Sequence, residues 1–115
     1  MTLKWEEIVV DCADVRAQGQ WWAKALSWDI VEQNDDELEI QNPDGSKPTL
    51  LFIKVPEGKT VKNRLHFDFV PDDQAAEVER LLALGATRAD IGQGQQTWVV
   101  MADPEGNEFC VLSAR

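Results

Sequence analysis

The chain has 115 residues, enough for one ordinary domain with its own core. Its composition, 43% hydrophobic and 28% charged, excludes a disordered tail, and no apolar run approaches the roughly eighteen residues a membrane helix needs. Twenty-one acidic residues against eleven basic ones give a net charge of −10, which repels phosphate backbones and argues against nucleic acid as the main partner.

The opening stretch, Met1 to Glu7, carries acidic residues where a signal peptide places its apolar core, so a cytoplasmic location is expected. The first strand signal is Trp5 to Cys12, with Ile8, Val9 and Val10 as β-formers. Asp14 suits an N-cap, and Val15 to Ser27 reads as a helix. Its stripe is carried by Trp21, Trp22, Ala25 and Leu26, near helical spacing with Gln18, and Gly19 weakens it slightly. Strands follow at Trp28 to Gln33 and Glu37 to Gln41, then a turn at Asn42-Pro43-Asp44-Gly45. Thr49 to Val55 is an apolar strand, and Glu57 to Asn63 a polar connector.

The pattern then restarts. Arg64 to Val70 is a strand, Asp72 and Asp73 cap a helix over Gln74 to Leu84, and Gly85 stops it. Val78, Leu81 and Leu82 form its stripe. Short strands are expected near Thr87 to Ala89, at Thr97 to Ala102 and at Glu108 to Leu112, the last after the turn Asp103-Pro104-Glu105-Gly106. The two halves therefore repeat strand, helix and three strands. Glu7 to Val10 falls on His66 to Phe69 at a shift of 59, which also superposes Asp14 on Asp73. The turn at Asn42 falls on that at Asp103 at a shift of 61.

Strand alternation sorts the polar groups. In the strand at Arg64, Leu65, Phe67 and Phe69 share the face expected to pack under the helix, and Arg64, His66 and Asp68 share the other. In the first strand Ile8, Val10 and Cys12 take the helix side, and Trp5, Glu7, Val9 and Asp11 the opposite one. Glu7 and His66 thus match in repeat position and in face. Cys12 and Cys110 lie in apolar runs and are expected to be reduced, buried thiols. Trp21 and Trp22 are expected to pack on the sheet or at a subunit contact, and Trp5 and Trp98 are candidates for the wall of a site. Gly92-Gln93-Gly94 lacks the lysine and following helix of a phosphate loop, and no serine-nucleophile motif is present.

Two βαβββ modules in this length resemble the vicinal oxygen chelate superfamily, which includes glyoxalase I, bleomycin-resistance proteins and extradiol dioxygenases; the small glyoxalase-like domain is the best match. The residues that carry the resemblance are Ile8 to Asp14, Leu51-Phe52 with Val55-Pro56-Glu57, Asn63 to Asp68, Leu84 to Thr87, and Asp103 to Cys110. The resemblance implies an α+β fold in which modules of about 1–57 and 62–115 form a curved, eight-stranded mixed sheet within a single domain. It also implies a cup for a small-molecule ligand, lined by Glu7, Phe52, His66, Asp68, Trp98, Glu108 and Cys110, and a homodimer. Metal-dependent relatives take one ligand from the first and one from the last strand of each module. Carried across, these are Glu7, His66 and either Cys110 or Glu108, while Leu50 to Lys54 offers no carboxylate, histidine or cysteine. The candidate metal ligands are accordingly Glu7, His66 and Glu108, for a divalent ion such as Zn, Ni, Mn or Fe. Two functions follow. One is a binding module without a complete metal site that sequesters a small organic molecule, with Glu7, Asp68 and Glu108 as counter-charge for a cationic ligand. The other is a divalent-metal-dependent lyase, isomerase or epimerase of the glyoxalase type.

Overall fold

A computed structural model describes residues 2–115. They fall into two compact units, one ending at Gly58 and one covering Lys59–Arg115. Each unit is a helix packed on a four-stranded sheet. The first holds β1 (Glu7–Cys12), α1 (Val15–Leu26), β2 (Asp29–Gln33), β3 (Glu37–Gln41) and β4 (Thr49–Lys54). The second holds β5 (Phe67–Phe69), α2 (Gln74–Leu84), β6 (Thr87–Arg88), β7 (Val99–Ala102) and β8 (Glu108–Val111). The strand orders are β1-β4-β3-β2 and β5-β8-β7-β6. In each unit the first and last strands pair in parallel and the other pairs are antiparallel. Among the described residues no helix is long and apolar enough to cross a membrane.

The repeat is visible in the local chemistry. Asp14 and Asp73 both accept from the backbone N–H three residues on, Ala17 at 3.0 Å and Ala76 at 3.1 Å, so each caps its helix. Ser27 and Gly85 close the helices in the left-handed region, at φ 56° and 114°. The two turns match as well: Gly45 N–H donates to the Asn42 carbonyl at 2.8 Å, and Gly106 N–H to that of Asp103 at 2.9 Å.

The first core follows from register. Val10 lies beside Phe52 and Phe52 beside Leu38, so these three share the face against α1. Leu38, Ile40 and Phe52 are fully buried there, each stabilising the unit by about 1.5–3 kcal/mol. Gly19 is the point of closest approach. A Cβ built on it would lie 2.5 Å from a Leu38 methyl, so the residue that costs helix propensity is what lets helix and sheet meet. Trp21 and Trp22 are buried in an edge-to-face pair, with centroids 5.0 Å apart. The second core stacks Phe67, Phe69 and Phe109 edge to face, beside buried Met101 and Val111.

The α+β fold is as expected, and each repeat hydrogen-bonds its own four strands into a sheet. Two expectations are corrected. β5 keeps only three residues of the expected Arg64 to Val70, and Leu65 is 89% exposed rather than packed under the helix. Just upstream, the Asn63 N–H donates to the Glu108 side chain at 2.8 Å. β7 likewise begins at Val99, not Thr97, and the Thr97 carbonyl accepts from the Gln74 side chain.

Candidate functional site

The second sheet has one apolar face and one reactive face. Phe67, Phe69, Phe109 and Val111 alternate onto the first. Asp68 and Cys110 lie beside each other in register on the second, and His66 immediately precedes β5 on the same side. Parallel pairing of β5 with β8 therefore gathers three different donor atoms. His66 Nδ1 is 3.4 Å from Asp68 Oδ1 and 4.0 Å from Cys110 Sγ. One ligand atom from each of the three lies within 4.8 Å of the others.

The environments differ sharply. His66 and Asp68 present side chains that are 37% and 50% exposed, whereas Cys110 is buried. Burial pushes the Cys110 thiol up to about 11, with help from the Asp68 charge and from the hydrogen bond the thiol gives Asp68, against a smaller pull downward from Lys62. The free thiol is therefore protonated at neutral pH and is not a thiolate nucleophile.

Glu108 is two residues from Cys110, but its carboxylate is engaged elsewhere. Lys59 Nζ donates to one oxygen at 2.8 Å and the Asn63 N–H to the other at 2.8 Å. Both side chains of the Lys59–Glu108 pair are largely covered. Burial works to raise the Glu108 carboxyl, but these donors outweigh it and hold it below its ordinary value. The pair pins the segment just before His66 onto β8.

The donor set fits a divalent ion. Tetrahedral bonds of about 2.0–2.3 Å place neighbouring donors about 3.3–3.6 Å apart; the His66–Asp68 separation of 3.4 Å matches this, and Cys110 Sγ, 4.0 Å from His66 Nδ1, would have to draw in on binding. Imidazole, carboxylate and sulfur are all ligands for such an ion, and three protein ligands leave a fourth position for a small molecule. A bound ion would displace the thiol proton, which burial otherwise retains.

The remaining sequence-predicted residues are placed as follows. Glu7, half-buried on β1, lies beside Thr49 on the face of the first sheet turned away from α1. On that face Thr49 Oγ1 donates to Glu39 Oε2 at 2.6 Å, and at its edge Lys47 pairs with Glu6 at 2.8 Å. Phe52 was expected in the wall of the site; it is instead fully buried on the α1 side, because alternation from Val10 puts it there. Trp98, 36% exposed, precedes β7, and Trp5, 68% exposed, precedes β1. Asp68 was expected as counter-charge, not as a member of a metal-capable cluster. The i, i+2 spacing of His66 and Asp68 was the available signal.

Known proteins agree with this architecture. Protein FosX from Listeria monocytogenes, solved with Mn(II) and sulfate, is similar with a TM-score of 0.76 at 12% identity, over 100% of this chain and 93% of that one. Protein ATC0852 from Agrobacterium tumefaciens gives 0.75 at 15% identity, over 99% of both chains. A glyoxalase/bleomycin resistance protein/dioxygenase family enzyme from Burkholderia phytofirmans PsJN gives 0.73 at 16%, over 96% of this chain and 98% of that one. At such identities the likeness is one of fold. No curated protein sequence matches the chain significantly. The model of the glyoxalase-like domain matches residues 7–112, nearly the whole length, and the chain therefore belongs to the glyoxalase-like domain family.

Proposed function

We propose that the chain is a divalent-metal-dependent protein of the glyoxalase type that binds a small, oxygen-bearing organic molecule at His66, Asp68 and Cys110. The observation that carries this reading is the closeness of three unlike donors, within 4.8 Å, two on the adjacent parallel strands β5 and β8 and one just before β5. An ion there would act as a Lewis acid toward adjacent oxygens of the bound molecule. The chain's own groups would do the rest. His66 Nδ1 and the Asp68 carboxylate hold the binding position, and His66 Nε2 remains as a place to hold or move a proton. The reaction class that fits is a lyase, isomerase or epimerase. A homodimer accompanies this reading, supported by the exposed Ile30 and Val31 on β2, an edge strand of the first sheet. Elemental analysis of protein purified without chelator tests the proposal. About one equivalent of a divalent metal, lost in His66→Ala, is expected; no metal in the wild type after dialysis against a mixture of divalent ions would overturn it.

A second reading, ligand binding without metal, is favoured by one observation: the cluster has a protonated, buried thiol beside an exposed carboxylate. That arrangement offers Asp68 to a cationic ligand. Saturable quenching of tryptophan fluorescence by a cationic aromatic compound in the presence of chelator, abolished in Asp68→Asn, would establish this reading in place of the first.

A further inference from the structure

We infer that the cluster selects a borderline-soft ion of the zinc class over a hard ion such as Mn(II), and that Cys110 is the residue that sets the choice. The inference rests on the metal-binding reading above and deepens it. The donors within reach of one another are one imidazole nitrogen, one carboxylate and one sulfur. Hard divalent ions favour oxygen-rich shells, whereas sulfur donors favour zinc and its thiophilic neighbours. The carboxylate nearest along β8 does not correct this balance. Glu108 accepts from Lys59 and from the Asn63 backbone, each at 2.8 Å, and would forfeit both bonds to serve as an oxygen ligand. Its recruitment would also release Lys59, a largely covered ammonium, from its partner. The shell is therefore poor in oxygen by construction. Cys110 is buried, so its sulfur meets the ion with little competition from water. Ligation forms one metal–sulfur bond and breaks one S–H bond. The proton leaves to the buffer, and no oxidant or reductant is involved.

Cobalt(II) titration of the full-length chain tests the inference, because a thiolate bound to cobalt absorbs by charge transfer in the near ultraviolet. The expected result is a saturating charge-transfer band in the wild type, absent in Cys110→Ser. One equivalent of Zn(II) should remove the band, and about a hundredfold excess of Mn(II) should leave it intact. The wild-type titration stands even where the serine variant folds poorly. Cobalt binding without the band, or displacement by Mn(II) as readily as by Zn(II), would overturn the selectivity and leave the metal centre standing. Binding of neither Co(II) nor Zn(II) would remove the metal centre itself.

Discussion

Asp68 and Cys110 lie side by side in the parallel pairing of β5 with β8, the thiol buried and the carboxylate half-exposed. This contact ties the stability of the second unit to pH. The thiol's folded value, about 11, lies above its ordinary 9.0. The neutral thiol is therefore the form the fold favours. Its contribution is fully present below pH 9 and is lost as pH rises from there toward 11. Urea unfolding of the metal-free protein at about pH 8 and about pH 10.5 should show a loss of about 1–3 kcal/mol attributable to Cys110. Cys110→Ala should flatten that slope while lowering stability at both values. An unchanged slope in the variant would place the alkaline sensitivity elsewhere.

Glu108 titrates in the opposite sense. Lys59 and Asn63 hold its carboxyl below the ordinary 4.5, so its contribution is present above that value and is lost as pH falls through the folded one. At neutral pH, Glu108→Gln should destabilise the protein by about 1–3 kcal/mol, because Lys59 loses a charged partner in a largely covered position. The difference between variant and wild type should shrink toward pH 3. Amide hydrogen exchange at Asn63 reports the same loss locally, and equal protection in both proteins would contradict the clamp.

Gly19 tests the packing of the first unit. Gly19→Ala gains about 1 kcal/mol of helix propensity but drives a Cβ to within 2.5 Å of a buried Leu38 methyl. Overpacking of this kind costs about 1–3 kcal/mol, so a net destabilisation of up to about 2 kcal/mol is expected by chemical denaturation. In a Leu38→Ala background the obstruction is gone, and Gly19→Ala should become neutral or stabilising. Additive effects of the two substitutions would show that helix and sheet do not meet at this point.

Much of the fold was legible because local signals and global topology agree. Asp14, Asp73 and Gly85 mark helix ends by capping chemistry that is confined to a few residues. The alternation of Leu38, Ile40 and Phe52 follows from pleating, although Phe52's own face could be fixed only by its register with Val10 and Leu38. What the sequence hid lies in contacts across long separations. Asn63 meets Glu108, 45 residues away, and nothing near Asn63 announces that contact. The candidate site divides along the same line. His66 and Cys110 are legible from their places in the repeat. Whether Asp68 or Glu108 joins them depends on which carboxylate a lysine claims, and Lys59 claims Glu108.

Calorimetric titration of Zn(II) into metal-free wild type, Asp68→Asn and Glu108→Gln proteins tests the central claim most directly, since it asks which carboxylate belongs with His66 and Cys110. A single site is predicted in the wild type. Asp68→Asn should weaken it by roughly tenfold or more, and Glu108→Gln should change it by less than about threefold. Equal affinity in the wild type and Asp68→Asn, with loss of binding in Glu108→Gln, would contradict the account.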